Sequence, residues 1–264
     1  MKESIHTFVV LAYKESAFLE DCVKSVLNQE SKSRVLIATS TPNDYIYSVA
    51  KKYNLKVVIN ECTGKGIGYD FDFARNAANT ELVTIAHQDD VYEPNYGKSV
   101  IENAMKYKDS LILFTDYYEI RNDEKIFKNR NLKIKRMLMS FVKFNKLASI
   151  RLVKRSCIML GNAICCPAVT FNMYNINTER VFNSPYKANI DWYAWEILSK
   201  RKGRFVYINN KLMGHRIHVE STTTEIINDN VRTKEDYDMF LKFWPKSIAK
   251  FLNKFYVKAE ESNN

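Results

Sequence analysis

The chain has 264 residues, 46% of them hydrophobic, with only seven glycines and five prolines. This composition excludes disordered and fibrous proteins and allows one large or two small globular domains. The formal charge is +10, from 40 basic and 30 acidic residues. The sequence begins without an apolar signal region and has no apolar stretch long enough to span a membrane, so we expect a cytoplasmic protein whose five cysteines are reduced.

Five apolar runs predict strands at residues 7–12, 34–39, 55–59, 81–86 and 110–115. Segments with helical apolar spacing separate these runs, and such alternation predicts right-handed βαβ units. We therefore expect an α/β fold with a mostly parallel sheet that helices cover on both faces. The expected domain spans residues 1–225, and residues 226–264 form a helical C-terminal extension, with its helix at 233–258, that ends in a polar tail.

The excess positive charge lies in one segment. Residues 125–178 contain no Asp or Glu, and eleven Lys or Arg lie between Lys125 and Arg155. Such a segment indicates an anionic partner, either phospholipid, glycan, nucleotide or nucleic acid. Apolar spacing in residues 131–156 predicts helix, so we expect a basic helical insertion at about residues 125–156 that either packs on the main domain or lies on an anionic membrane surface.

Two adjacent carboxylates, Asp89 and Asp90, follow the fourth predicted strand. Ligands of open α/β sheets bind outside the carboxyl ends of the strands. Adjacent carboxylates repel each other unless they share a proton or a cation, and divalent cations bind both carboxylate and phosphate oxygens. Asp also favours helix starts, and Pro94 can open a helix here. The spacing alone therefore leaves a cation site and a helix cap as alternatives.

Five short motifs follow one another in the chain. They are Leu11-Ala12-Tyr13-Lys14-Glu15 with the later Ser25-Val26-Leu27-Asn28-Gln29, then Ala74-Arg75-Asn76, His87-Gln88-Asp89-Asp90, Ile190-Asp191-Trp192, and His215-Arg216-Ile217-His218. Together they resemble the motifs of the family 2 glycosyltransferases, which have the GT-A fold, a Rossmann-like sheet flanked by helices. The resemblance covers roughly residues 5–225.

The resemblance implies a role for each matching residue. Asp191 would be the catalytic base that accepts a proton from the acceptor hydroxyl. Asp89 and His218 would bind a divalent metal, Mn²⁺ or Mg²⁺, that bridges the diphosphate of the donor. The residues that would bind the nucleotide sugar are Leu11, Ala12, Tyr13, Glu15, Ser40, Arg75, His87, Gln88 and Asp90.

Each of these roles has a physical reason. A nucleoside diphosphate leaves readily only when its developing charge is neutralised, which a metal ion does. A sugar hydroxyl is a poor nucleophile, so a positioned carboxylate must accept its proton. One base opposite the leaving group implies direct displacement with inversion. Asp191 could instead cap the helix that follows it, and His218 could be an ordinary surface histidine.

The sequence departs from the family at two positions that bear on the donor. The family has an acidic pair after its second strand that contacts the base, whereas Thr39 and Ser40 stand here. His87 stands where the family has the first Asp of its metal-binding motif. These differences leave the nucleotide and the donor sugar open.

The expected activity is transfer of a sugar from a nucleotide sugar to a hydroxyl of a growing cell-surface or capsular glycan, which could be lipid-linked. Such a protein could bind peripherally to the inner face of the cell membrane. The alternative is a protein of the same fold whose site has decayed and whose basic face binds an anionic polymer. Nucleic acid is a less favoured partner, because the basic segment carries no helix-turn-helix or RNA-binding signature.

Overall fold

The computed structural model describes residues 4–61, 64, 66–218 and 231–261. Within these ranges the strands are β1 (His6–Ala12), β2 (Arg34–Thr39), β3 (Lys56–Ile59), β4 (Leu82–His87), β5 (Val91–Tyr92), β6 (Ser110–Arg121), β7 (Glu124–Ile126), β8 (Val169–Asn172) and β9 (Arg204–Arg216). The helices are α1 (Leu19–Leu27), α2 (Asp44–Lys52), α3 (Ile67–Asn76), α4 (Tyr96–Lys106), α5 (Arg130–Leu138), α6 (Arg151–Ser156), α7 (Met173–Ile176), α8 (Ile190–Lys200), α9 (Val231–Leu241) and α10 (Lys246–Glu261).

All nine strands belong to one sheet with the order β3-β2-β1-β4-β8-β6-β9-β5, and β7 pairs with β6. Strands β1 to β4 pair in parallel, and β8 lies antiparallel between β4 and β6. The carboxyl ends of β1, β2 and β4 therefore meet at one edge, where Leu11 is level with His87 and Ala12 with Thr39. The predicted α/β fold with a mostly parallel sheet is confirmed.

Helices cover both faces of the sheet, as its continuous apolar strands require. Alternate residues of β1 point to opposite faces. Phe8 and Val10 pack in a cluster with α1, α2 and α4, whereas Val9 packs in a second cluster with α3, α8, α9 and α10. Two of the largest buried side chains, Trp192 and Trp195, come from α8 and fill the second cluster.

The prediction of a single basic helix over residues 131–156 is wrong. The chain forms α5, then a series of turns over residues 139–150, then α6. The turns are held by β9, because the side-chain amide of Asn145 bonds both backbone groups of Tyr207 at 3.0–3.1 Å. The guanidinium of Arg204 donates to the carbonyls of Asn145 and Lys146. The carbonyl of Asn145 also accepts from the amide of Ala148 at 3.3 Å, as in a turn. Neither carbonyl accepts from the amide four residues later, so the α-helix does not continue.

The C-terminal residues form two helices, not the single predicted helix over residues 233–258. The break between α9 and α10 falls at Pro245, which interrupts the helical hydrogen bonds. Both helices belong to the main core, since Phe240 contacts Trp192 at a ring distance of 5.2 Å and Ala249 is fully buried. The predicted domain boundary at residue 225 lies outside the described residues. No helix in the described part of the chain is both long and apolar enough to cross a bilayer.

Four cysteines, Cys22, Cys157, Cys165 and Cys166, are free thiols, as the sequence predicts. Burial raises the pKa of all four thiols. They therefore stay protonated near neutral pH and are not candidate nucleophiles. The fifth cysteine, Cys62, lies outside the described residues.

Candidate active site

The two carboxylates after β4 are fixed by the end of β9. Asp90 is fully buried, and its Oδ1 lies 3.0 Å from His215 Nδ1 and accepts a hydrogen bond of 2.9 Å from the amide of Arg216. Arg216 Nε donates to the carbonyl of Asp89 at 3.1 Å. Neither carboxylate caps a helix, because α4 begins only at Tyr96. The helix-cap alternative for this pair is therefore wrong.

His87, Asp89 and Asp90 can together hold one cation. One ligand atom from each lies within 4.8 Å of the others. His87 Nε2 and Asp90 Oδ2 are buried, and among the described residues neither has a hydrogen-bond partner. Buried polar atoms are nearly always paired, so a divalent cation fits both orphaned atoms. Burial also lowers the pKa of His87, which keeps the imidazole neutral and able to bind a metal.

His218 contacts Asp89, one of the three residues of the candidate cation site. Its Nε2 lies 3.0 Å from Asp89 Oδ2, and its ring packs 5.1 Å from that of Phe18. Burial raises the pKa of Asp89, but the neighbouring His87 and the hydrogen bond from His218 outweigh this and hold it below its ordinary value. The geometry therefore suits His218 to orient the Asp89 carboxylate, as partners of metal ligands commonly do.

The predicted nucleotide-binding residues at the end of β1 lie close to the segment that carries His87, Asp89 and Asp90. Gln88 makes two hydrogen bonds to the backbone of Tyr13, accepting from its amide at 2.9 Å and donating to its carbonyl at 3.0 Å. The Tyr13 backbone is therefore engaged by Gln88, while its ring is half-exposed. Leu11 and Ala12 line the edge beneath it, and Glu15 is exposed.

Ser40 is hydrogen-bonded to Asp70, an acidic residue to which the sequence analysis assigned no role. Its hydroxyl donates to Asp70 Oδ2 at 3.0 Å, and Asn60 donates to Asp70 Oδ1 at 2.8 Å. Asp70 belongs to α3, yet its carboxylate lies at the end of β2, where the resembling family has acidic residues. The residues Asp70 and Ser40 are 30 positions apart, so no local pattern could have indicated this contact.

Arg75 exposes no surface that could contact a nucleotide. It is completely buried, and its guanidinium donates to the carbonyl of Thr178 at 2.7 Å and to Met173 Sδ at 3.3 Å. The neighbouring Asp72 accepts from the amides of Val181 and Phe182. Both side chains of α3 therefore anchor the segment after α7 rather than line the open edge of the sheet.

Asp191, in the first turn of α8, is linked to the carboxylate pair through α3, because Phe71 stacks on His87 at a ring distance of 5.1 Å and Ile190, next to Asp191, packs in the same cluster as Phe71. Its carboxylate contributes to the pKa of His87, and both Asp191 and Asp90 contribute to the pKa of Cys166. Asp191 Oδ2 accepts from Asn162 Nδ2 at 2.8 Å, and Oδ1 accepts from the amide of Trp192 at 2.8 Å. Burial raises the pKa of Asp191, against which these two donors act. The capping position of α8 is held by Asn189.

Lys135 brings a positive charge within electrostatic range of Asp191 and His215, which the sequence did not indicate. Its Nζ donates to the hydroxyl of Tyr117 at 2.9 Å, and its charge contributes to the pKa values of His215 and Asp191. Lys135 is one of eleven basic residues in its segment, and only the packing of α5 distinguishes it from the others.

Comparisons with solved structures identify related folds. TarS from S. aureus (residues 1–349, in complex with UDP-GlcNAc) matches with a TM-score of 0.61 and 13% identity over 95% of this chain and 70% of that one. The mannosyltransferase PcManGT from Pyrobaculum calidifontis, in complex with GDP-Man and Mn²⁺, matches with a TM-score of 0.62 and 13% identity over 98% and 73%. At this identity the likeness shows the fold, which is GT-A.

This chain spans 42% of a longer TarS chain, so such proteins carry further parts. A search of curated proteins found no significant match. The model of the family described as Glycosyl transferase family 2 matches residues 7–161, more than half of the sequence. The match includes the β1 motif and the His87–Asp90 group, and the sheet carries both at one edge. The chain belongs to glycosyl transferase family 2.

Proposed function

We propose that the protein transfers a sugar, with inversion, from a nucleoside-diphosphate sugar to a hydroxyl of a glycan. Two neighbouring groups of side chains support the proposal. A cation-binding group of two carboxylates and an imidazole lies within electrostatic reach of the partly buried carboxylate of Asp191. These are the two components that an inverting transfer needs, a site for the diphosphate and a base for the acceptor.

The cation site in this proposal consists of His87, Asp89 and Asp90, with His218 orienting Asp89. His87 thus moves from the nucleotide-binding set to the metal ligands, because its buried Nε2 is otherwise unpaired in the described structure. A divalent cation bound here would neutralise charge on the departing diphosphate. The mannosyltransferase of similar fold is a complex with Mn²⁺, which supports Mn²⁺ as the first ion to test.

The nucleotide in this proposal lies over β1 and β2. The half-exposed ring of Tyr13 offers a surface for stacking a base, and the Gln88 amide holds the Tyr13 backbone in place. Asp70, hydrogen-bonded by Ser40 and Asn60, offers the base a carboxylate in place of the acidic pair that Thr39 and Ser40 replace. Arg75 is left out of this set, because it is buried elsewhere.

Asp191 and its neighbours form the acceptor side of the proposed cleft. Asp191 accepts the proton of the attacking hydroxyl, and Asn162 orients the carboxylate through its hydrogen bond to Oδ2. Lys135 adds positive charge near both ends of the cleft. The acceptor class that we propose is a growing cell-surface glycan, and the fold shared with TarS is compatible with it. A decayed site is less well supported, because His87, Asp89 and Asp90 can still hold a cation and Asp191 still offers a carboxylate.

A panel of nucleotide sugars tests the proposal. We expect one nucleotide family, with Mn²⁺, to raise the thermal unfolding midpoint, since a ligand at 100 times its Kd stabilises by about 2.7 kcal/mol. Asp70→Asn should weaken this selectivity among bases, whereas Asp44→Asn, on the exposed start of α2, should not. Absence of stabilisation by every nucleotide sugar in the presence of Mn²⁺ or Mg²⁺ would contradict the proposal.

Asn162→Ala should move the acid limb of the pH–rate profile to higher pH. The base must be ionised, so activity falls as the pH drops through the pKa of Asp191, which burial already raises. Asn162 stabilises the ionised form, and its removal should raise that pKa further. Asn103→Ala is the matched control, because among the described residues its side-chain amide bonds only the carbonyl of Ser99, within α4. An unchanged acid limb in Asn162→Ala would show that Asn162 does not act on the base.

A further inference from the structure

One surface of the protein, formed by residues 137–152, combines bulky apolar side chains with exposed cations. We name these residues the outer segment. Met139, Val142 and Ala148 anchor it in the core, and all three are buried. Six apolar side chains on it are instead between 50% and 70% exposed, and they are Met137, Phe141, Phe144, Leu147, Ile150 and Leu152.

Exposure of this many large apolar side chains is unusual in a protein that acts alone. Single exposed apolar residues need no explanation, but a contiguous group marks a surface that binds a partner. The core residues of the outer segment alternate with the exposed ones, so the segment forms an outer layer over the cluster that contains α8 and α10. Packing among the residues that the structure describes therefore does not bury these six side chains.

The charge of the segment determines what kind of partner fits. Several basic side chains of the region are held by the fold, for example Arg136 by Asp116 at 2.8 Å and Arg155 by Glu196 at 2.8 Å. Lys143, Lys146 and Arg151 are instead exposed between the apolar side chains. No acidic residue occurs in the sequence from 125 to 178, so the partner must supply the negative charge.

We propose that the outer segment docks on an anionic phospholipid bilayer, with its apolar side chains in the interface and its Lys and Arg at the headgroups. Bulky apolar residues interleaved with cations are the pattern of surfaces that lie in the membrane plane. A second copy of the chain fits poorly. A symmetric dimer through this surface would place the same cations opposite one another.

The outer segment follows directly on a residue of the proposed active site. Helix α5 carries Lys135, which donates to the hydroxyl of Tyr117, and ends at Leu138, so the outer segment begins within one turn of Lys135. Docking would hold the cleft near the membrane, where a lipid-linked acceptor would be available. This consequence rests on the proposed function, whereas the docking itself does not.

Sedimentation with lipid vesicles tests the docking. We expect the wild type to bind vesicles in which about one third of the phosphatidylcholine is replaced by phosphatidylglycerol, and to bind pure phosphatidylcholine far more weakly. The triple variant Lys143→Glu/Lys146→Glu/Arg151→Glu should bind at least about 100-fold more weakly, since each of the three basic residues near an anionic surface contributes roughly fivefold. Phe141→Ser/Phe144→Ser/Leu147→Ser should lose at least about tenfold.

Matched controls lie on the helices and strands of the other side of the sheet. Lys32→Glu/Lys51→Glu/Lys56→Glu makes the same charge change at exposed positions near β2 and β3, and Leu27→Ser/Tyr47→Ser/Met105→Ser removes exposed apolar side chains from α1, α2 and α4. Both should bind vesicles like the wild type. Thermal stabilisation by the nucleotide sugar, measured in every variant, should be unchanged and reports separately on the proposed function.

Three outcomes would overturn the docking proposal. The first is a wild type that does not sediment with anionic vesicles. The second is equal sedimentation of the wild type and both outer-segment variants. The third is that the wild type forms a dimer and does not bind vesicles, and that Phe141→Ser/Phe144→Ser/Leu147→Ser makes it a monomer. This result would identify the surface as a protein interface.

Discussion

Replacement of Asp191 by Asn should reduce kcat by about 10²–10⁴-fold, the usual contribution of a positioned general base. The amide has the shape of the carboxylate but cannot accept the proton of the acceptor hydroxyl. Donor binding should change little, because Asp191 lies on the acceptor side of the proposed cleft. Steady-state transfer assays and the thermal shift produced by the nucleotide sugar with Mn²⁺ would measure the two effects separately.

Asp44→Asn is the matched control for this variant, because Asp44 also lies in the first turn of a helix but is exposed on α2. It should retain wild-type kcat. If the Asn substitution acted only by weakening the helix, it would lower the unfolding midpoint of both variants and leave kcat unchanged. Full activity of Asp191→Asn would rule out Asp191 as the base and with it the proposed mechanism.

Removal of the Asp89 carboxylate should abolish metal-dependent donor binding. Even partners of metal ligands change affinity by 10–100-fold when they are mutated, so we expect loss of a ligand to cost at least about 100-fold. Nucleotide-sugar stabilisation that amounts to about 2.7 kcal/mol in the wild type at 100 times Kd would then fall below about 0.5 kcal/mol. Titration of Asp89→Ala with Mn²⁺ and nucleotide, followed by thermal unfolding, measures this loss.

Asp21→Ala is the control for Asp89→Ala, since Asp21 is exposed on α1 and lies only 3.8 Å from Lys24 in a surface ion pair. It should bind metal and nucleotide like the wild type. Unchanged metal-dependent affinity in Asp89→Ala would remove Asp89 from the cation site. The same titration of His87→Ala would then distinguish a site centred on His87 and Asp90 from the absence of a cation site.

The sheet could be predicted where the pattern is local. The apolar runs of β1 and β4 are buried on both faces and could be identified from sequence alone. β9 was missed as a strand because exposed polar residues interrupt it, with Asn209, Asn210 and Lys211 in its middle. Its partner β5 has only two residues. Pairing between such strands depends on contacts that are remote in sequence, which periodicity does not report.

The turns at residues 139–150 were missed for a related reason. The segment has helical apolar spacing, but its carbonyls and side-chain amides bond Arg204 and Tyr207 of β9. Tertiary hydrogen bonds therefore outweigh the helical preference. The same rearrangement turns Phe141, Phe144 and Leu147 outward, so the docking surface follows from the structure and not from an amphipathic helix.

The sequence by itself determined the α/β class, the family and the position of the carboxylate pair at a strand end, because apolar spacing and short motifs are local properties. Only the tertiary structure decided which atoms meet. His215 reaches Asp90 from 125 residues away, Asp70 comes to Ser40 from a different helix, and Arg75 turns into the core. Side chains so distant in the chain are brought together by strand pairing and helix packing, which no local pattern encodes.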